Sequence, residues 1–456
     1  MLHVKDFPKI LSGQWLRRSE NEEKELVGFC FDTRLYQKES IFLALDGKNH
    51  DAHTFLSQLD AKPVECFLVT KQVEFTHPTA GYFLVADGIS ALHALAAHKA
   101  KNFSGKILAI TGSSGKTSLK FWMGAVLEKK LRTLCPEKSY NNHLGCPATI
   151  LSLTKEHELC ILEMGANSTG EIELLTKIAH PHMSLILNVG MAHIGRFGSL
   201  ENTTKAKSEI FSSMRSPAVG FLPKNLNSLP LHQVQKKVLF DQAFPLPLEP
   251  KQASDPSWGQ RLSLEFHQKK ISFFLPLLGQ ATSLSFSAIL AVAFELGFLP
   301  EEIIPHFLDL KPFVGRLYPR LGHGGVLLVD DSYNANPNSV LHLAHSLGAL
   351  GKKRKILLLG DLAELEGFEK ESAEYIAENF PDSQVEELDI YGNMAEEIFR
   401  AFQKKKKKVR IQLFSNQEDL KIYLKNLWST LGPSVVVAYK GSRVSKIEQL
   451  MHSFLQ

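Results

Sequence analysis

The chain has 456 residues, too many for one hydrophobic core, so about three domains are expected. Its 44% hydrophobic and 22% charged residues are those of a globular protein and exclude a low-complexity or disordered chain. A net charge of +4 gives no reason to expect a nucleic-acid partner and is compatible with an anionic substrate.

The first unit is expected over residues 1–97, with apolar strands at 40–45 and 65–69 and a helix at 90–100. Its start, Met1-Leu-His-Val-Lys-Asp6, lacks the apolar core of a signal peptide. No apolar run along the chain approaches the roughly 20 residues that span a bilayer. The five cysteines, Cys30, Cys66, Cys135, Cys146 and Cys160, are scattered without C-x-x-C spacing. They read as reduced thiols rather than a zinc site. A cytoplasmic protein without a membrane span is expected.

A central unit, residues 98–310, opens on the most informative stretch, Ile107-Leu-Ala-Ile-Thr-Gly-Ser-Ser-Gly-Lys-Thr-Ser118. A buried strand runs into a glycine turn that starts a helix. Gly112 and Gly115 let the backbone approach a polyphosphate, N–H groups at the helix start face the anion and Lys116 adds a positive charge, so Thr111, Ser113, Ser114 and Ser118 are expected with them in the ATP site. Thr117 is placed to offer its hydroxyl to Mg²⁺. The usual phosphate-loop spacing requires glycine where Ile110 stands, so this is a shorter variant. A purely structural strand–turn–helix corner is the alternative.

Further short strands are expected at 159–163 and 184–188, and alternation with helices argues for a parallel sheet covered on both faces. Glu163 and His193 follow strand ends, where ligands bind in such sheets. They suit Mg²⁺ or its surroundings, although a histidine such as His193, taken alone, more often fills a hydrogen-bonded structural role. Lys205 and Lys207 fall on the next helix, where one could face the phosphates or both could face solvent. Between 222 and 276 the pattern degrades into a Pro- and Gln-rich stretch with weak strands, and a buried helix is expected at 285–296.

The last unit, residues 311–456, alternates clearly, with strands at 326–329, 356–359, 388–391, 409–414 and 435–438. This is the pattern of a doubly wound α/β domain. Asn336 and Pro337 read as the cap and first residue of its first helix. Arg316 suits phosphate, and Asp331 and Asn334 suit ribose or amide groups. Lys440 and Arg443, around a glycine-bearing strand end, suit an anionic ligand. The run Lys404–Lys408 reads as a solvated helix end, with an acidic surface as its other possible partner.

Several segments fall in the order seen in the Mur ligases: Asp32-Thr-Arg34, Phe42-Leu-Ala-Leu-Asp-Gly47, the short phosphate loop, Tyr140-Asn-Asn-His-Leu-Gly-Cys-Pro147, Glu163-Met-Gly-Ala-Asn167, Ala206-Lys-Ser-Glu-Ile-Phe211, Gly315-Arg316, Asp330-Asp-Ser-Tyr-Asn-Ala-Asn-Pro337, Gly360-Asp-Leu-Ala-Glu364 and Lys440-Gly-Ser442. The chain resembles that family over nearly its whole length, most closely the branch that adds a dipeptide. The resemblance implies three α/β domains: an N-terminal nucleotide-sugar domain, a central P-loop ATPase-like domain and a C-terminal Rossmann-like domain closing over the site.

It also implies an ATP-dependent amide ligase that joins D-alanyl-D-alanine to UDP-N-acetylmuramoyl-tripeptide through an acyl phosphate, in peptidoglycan precursor synthesis. A sibling ligase adding one amino acid, and a precursor-binding protein without catalysis, are the alternatives. By resemblance, Thr117 and Glu163 hold one Mg²⁺, while His193 and an N-carboxylated Lys207 serve a second. Asn141 and Asn142 contact the muramoyl-peptide, as Asp32 and Arg34 contact the nucleotide sugar. A monomer is implied. One departure stands out: where the family has Gly-x-His-Asn-x-x-Asn, with asparagine on adenine, this chain has Gly279-Gln-Ala-Thr-Ser-Leu-Ser285. Ala281, Thr282 and Ser285 remove the two-point amide contact to the base.

Overall fold

A computed structural model of the chain describes residues 2–36, 40–46, 51–136, 140–191, 194–231, 233–252, 254–255, 258–351 and 354–455. The expected strands fall in three mainly parallel sheets, accompanied by one small antiparallel sheet. In the first, Gly13–Arg17 runs antiparallel to Gly81–Val85, which continues in parallel through Cys66–Val69 and Ile41–Leu43 to Phe29–Cys30.

The central sheet is all parallel, in the order Lys236–Leu239, Val219–Leu222, Met183–Ile186, Lys106–Thr111, Leu159–Glu163, Thr133–Leu134. Its middle strand carries the phosphate loop, and its alternating side chains feed two cores. Ile107 and Ala109 join Leu92, Leu95 and Ile150 on one face. Leu108 and Ile110 join Met123, Phe286 and Ile289 on the other. All four strand residues are fully buried, and each large aliphatic side chain among them contributes roughly 1.5–3 kcal/mol by leaving water. The loop is thereby anchored on the stiffest part of the domain.

Two expectations need correction here. A boundary at 97/98 falls inside the helix Gly88–Lys101, whose residues pack into the core shared with the central sheet. Lys99 of that helix donates to Leu26 O and Leu151 O, both at 2.7 Å, tying the two units together. The segment 222–276 is also better ordered than its composition suggests. Gln260–Phe266 and Lys269–Leu275 form a hairpin with seven paired positions. Its turn residues, His267 and Gln268, both take positive φ (47° and 62°). Such turns are normally announced by Asn-Gly or Asp-Gly, so the hairpin carries no sequence signal. The buried helix begins earlier than expected, at Gln280–Glu295.

In the C-terminal sheet Leu327–Asp330, Val435–Lys440, Arg354–Leu359, Glu387–Tyr391 and Arg410–Phe414 are parallel, with Tyr318–Leu321 added antiparallel at one edge. The helix Pro337–Gly348 starts as expected: Asn336 Oδ1 accepts from Ser339 N at 2.9 Å, and Asn336 N donates to Ser339 Oγ at 3.0 Å. The lysine run is an exposed helix end as expected, with only Lys407 half-buried, and it also pairs within its own domain. Lys404 pairs with Glu374 at 2.8 Å and Lys405 with Glu378 at 3.2 Å, while Lys407 donates to Phe380 O at 3.0 Å. It docks on the acidic helix Glu369–Asn379 of its own domain. No single helix among the described residues is long and apolar enough to cross a membrane.

Candidate active site

The phosphate loop leaves the strand Lys106–Thr111 and enters the helix Lys116–Leu127 through Gly115, whose φ of +80° is readily adopted only by glycine. Asn188, just beyond the neighbouring strand, stitches the turn. Its Oδ1 accepts from Ser113 N at 3.1 Å and Ser114 N at 3.0 Å, and its Nδ2 donates to Ser114 O at 3.0 Å. Ser113 Oγ donates to Gly190 O at 3.1 Å. Thr111 is fully buried and spends its hydroxyl on Met164 O at 2.8 Å. Of the loop residues, those from Ser113 to Ser118 line the cleft.

Lys116 folds back over the loop and donates to Gly112 O at 2.7 Å. Burial pushes its amine down, against the opposing pull of Glu163. Glu163 ends its strand 2% exposed, and its Oε1 accepts from Thr117 Oγ1 and Asn141 Nδ2, each at 3.1 Å. Lys120, one helical turn beyond Lys116 and 1% exposed, brings Nζ to 3.9 Å from Glu163 Oε2. A carboxylate, a hydroxyl and two lysines thus crowd one end of the loop.

The opposite wall belongs to the C-terminal domain. Arg316 lies with Cζ 4.2 Å from the Tyr333 ring, and Arg443 sits 4.6 Å from the same ring. Arg316 lines the cleft with Asp331, Asn334 and Lys440, whereas Arg443 is exposed outside it. Lys440 is 2% exposed and donates to Asp331 Oδ2 at 2.5 Å and Asn334 O at 3.0 Å. Asp331 Oδ1 also accepts from Leu317 N at 3.1 Å. The two domains meet around this cleft: Met191 N donates to Asn338 Oδ1 at 2.8 Å, and Arg196 approaches Glu364 at 3.7 Å.

Mg²⁺ is a hard cation that takes oxygen ligands and keeps several waters. The Thr117 hydroxyl and the Glu163 carboxylate, side by side and buried, fit that donor set. Among the described residues no three His, Cys, Asp or Glu side chains form a cage, so phosphate oxygens and water would complete the shell. His193 lies outside the described residues. Lys207 is 2% exposed on the helix Leu200–Ser208, with Nζ 5.9 Å from the Phe197 ring. Burial first, and then the charge of Lys116, push its amine down to about 7. A substantial neutral fraction at physiological pH is what N-carboxylation requires. Lys205 is exposed on the same helix.

The remaining expected residues do not converge on the cleft. Asn142 Oδ1 accepts from Gly145 N at 2.9 Å and Leu144 N at 3.1 Å, at the start of the helix Gly145–Leu151. Asp32 and Arg34 pair with each other at 2.8 Å in the first unit. At the helix facing the loop, Thr282 donates to Leu278 O at 2.6 Å and Ser285 to Ala281 O at 3.2 Å. Ser285 therefore spends its proton within its own helix, and Thr282 on the carbonyl just before it. Sequence reasoning missed the contributions of Asn188, Lys120 and Tyr333. Lys120 left a trace, since a lysine four residues after Lys116 shares its helix face.

Comparison with known proteins identifies the family. Residues 110–293 match the Mur ligase middle domain, and residues 315–443 match the family described as Mur ligase, glutamate ligase domain. The UDP-N-acetylmuramoyl-tripeptide–D-alanyl-D-alanine ligase of Buchnera aphidicola (subsp. Acyrthosiphon pisum) is 30% identical, over 93% of this chain and 92% of that protein. The Bacillus subtilis protein of the same name is 28% identical over 99% and 98%. Crystal structure I of MurF from Acinetobacter baumannii superposes with a TM-score of 0.83 at 27% identity, over 99% of this chain and 98% of that one. MurF from Thermotoga maritima in complex with ADP gives 0.77 at 26% identity, over 94% and 97%. The chain belongs to the Mur ligase family.

Proposed function

We propose that this protein is an ATP-dependent amide ligase that joins D-alanyl-D-alanine to UDP-N-acetylmuramoyl-tripeptide. The observation that carries the reading is the facing of Lys116 and Thr117, with Glu163 bonded behind Thr117, from one domain with Arg316, Asp331 and Lys440 from another across one cleft. Relatives bearing that activity in their names match over almost their whole length.

A carboxylate and an amine do not condense at neutral pH, because the acid is ionised and hydroxide is a poor leaving group. Transfer of the ATP γ-phosphoryl group to the tripeptide carboxylate forms a C–O–P linkage and releases ADP. The neutral amine of the dipeptide then attacks the carbonyl carbon, and the C–O bond breaks to release phosphate. Backbone N–H groups of the loop hold the polyphosphate, while Lys116 and Arg316 face the transferring group from opposite domains. Thr117 and Glu163 would hold Mg²⁺, with His193 and N-carboxylated Lys207 serving a second ion. When bound, these ions neutralise charge developing on the phosphoryl oxygens. The reaction needs both domains, and Arg316 already lines the cleft with the loop, so closure of the C-terminal domain would tighten that approach. The protein acts as a monomer in the cytoplasm.

Phosphate release tests the reading when ATP, Mg²⁺ and the tripeptide nucleotide are mixed with different amines. Release with D-alanyl-D-alanine is expected, and Lys116→Ala should lower it by about 10³-fold or more, the scale of a lost transition-state charge contact. Release with single amino acids only would contradict the reading. Near-wild-type turnover by a folded Lys116→Ala protein would contradict the role given to Lys116.

A further inference from the structure

The segment that braces the phosphate loop is itself held from the C-terminal domain. After the strand Met183–Ile186 the chain runs beside the loop: Leu187 N donates to Thr111 O at 2.9 Å, and Ser113 N donates to Asn188 O at 3.0 Å. Gly190 then meets one loop hydroxyl twice. Its N–H donates to Ser113 Oγ at 2.8 Å, and its carbonyl accepts from the same oxygen at 3.1 Å. Ser113 is 5% exposed, so these bonds lie away from water, where they are stronger.

The carbonyl of Gly190 and the N–H of Met191 belong to one planar peptide group. That peptide is trans, so the two point in opposite directions. The carbonyl takes Ser113 of the loop, and the N–H donates to Asn338 Oδ1 at 2.8 Å. Asn338 is the second residue of the helix Pro337–Gly348, in the C-terminal domain. Only the oxygen of its amide accepts from Met191, which leaves Nδ2 to donate to Tyr375 Oη at 3.1 Å. Tyr375 stands on the helix Glu369–Asn379 of the same domain. One rigid peptide thus carries a hydrogen bond from each domain, and bonds at its two ends polarise it in the same sense.

The approach is close as well as polar. A Cβ on Gly190 would lie 2.6 Å from Asn338 Oδ1 and 2.8 Å from its Cγ, so a side chain at 190 would displace the amide. Other contacts across this boundary, Gly195 N to Glu364 O at 3.4 Å and Arg196 to Glu364 at 3.7 Å, are longer. Asn338 does not line the nucleotide cleft.

We propose that Asn338 is a positioning residue for ATP use: it acts on Ser113 through the Gly190–Met191 peptide, so that the phosphate loop takes its working geometry when the C-terminal domain is docked. The inference rests on the ATP-dependent reading above. The test is a double-mutant cycle in the complete ligase assay with ATP varied. Asn338→Ala removes the acceptor for Met191 N, and Ser113→Ala removes the hydroxyl that holds Gly190.

Asn338→Ala should lower kcat/KM for ATP by about tenfold in the wild-type loop, the scale of one lost hydrogen bond. In Ser113→Ala the same change should cost less than about threefold, because the link is already cut. Asn338→Asp should recover most of the loss, since a carboxylate accepts from both Met191 N and Tyr375 Oη. An equal factor in both backgrounds overturns the proposal, as does a failure of Asn338→Asp to recover. If Asn338→Ala does not fold, Asn338→Leu, of similar volume, takes its place; failure of both to fold also overturns the proposal, by making Asn338 a residue of its own domain's stability. Full ligation by Asn338→Ala removes only this inference, whereas no ligation by the wild type with ATP removes the functional reading beneath it.

Discussion

Asp389 offers a quantitative check on the C-terminal domain. It is fully buried in the strand Glu387–Tyr391, and neither carboxylate oxygen has a hydrogen-bond partner among the described residues. The nearby cations serve Glu387 instead: Arg354 reaches its Oε2 at 2.8 Å and Arg410 binds the same oxygen, while Tyr423 donates to Oε1 at 2.6 Å. Burial, followed by the charge of Glu387, pushes Asp389 from the usual 3.8 up to about 7. At about 1.4 kcal/mol per pH unit, that difference of about three units amounts to about 4 kcal/mol. The folded state binds the proton more tightly than the unfolded state does. Stability from this group is therefore full below the unfolded value and is lost as pH rises towards 7. About 3 kcal/mol of the loss falls between pH 5 and 8. Hydrogen exchange of peptides covering residues 387–391, corrected for intrinsic rates, should show this loss in the wild type. It should be largely absent in Asp389→Asn. Identical pH dependence in the two proteins would refute the reasoning.

Two further predictions concern the residues around the phosphate loop. Lys120 and Glu163, 3.9 Å apart, interact by about 4 kcal/mol at an effective dielectric of about 20. Lys120→Met should raise the Mg²⁺ concentration for half-maximal turnover and lower kcat/KM by at least about tenfold, and Lys120→Arg should recover part of both; unchanged Mg²⁺ dependence in Lys120→Met contradicts that role. Lys207, with its amine pushed down to about 7, should take up ¹³CO₂ as a carbamate visible by ¹³C NMR, a signal that Lys207→Ala removes; no signal in the active wild type contradicts N-carboxylation.

What the sequence made legible was local. Strand, glycine turn and helix from Ile107 to Ser118 are contiguous, so backbone preferences alone announce the phosphate loop. The cap at Asn336 and Pro337 was legible for the same reason. Long-range pairings left no such trace. Lys440 finds Asp331 across 109 positions, and Asn188 reaches the loop across more than 70. The hairpin turn at His267 and Gln268 lacks the residues that usually permit positive φ, because its flanking strands impose the conformation. The lysine run is solvated as its sequence suggests, but its pairing with Glu374 and Glu378 left no sequence signal because those residues lie on another helix. Domain boundaries blur for a related reason: Gly88–Lys101 belongs to the first unit by order and to the central core by packing.

Oxygen transfer tests most directly the claim that this cleft activates a carboxylate by phosphorylation. UDP-N-acetylmuramoyl-tripeptide labelled with ¹⁸O in its reacting carboxylate is turned over with ATP, Mg²⁺ and D-alanyl-D-alanine, and the released phosphate is weighed by mass spectrometry. One ¹⁸O atom per phosphate is predicted, because the carboxylate oxygen that accepts the phosphoryl group departs with it. Unlabelled phosphate, from fully labelled acceptor and with amide product formed, would contradict the account.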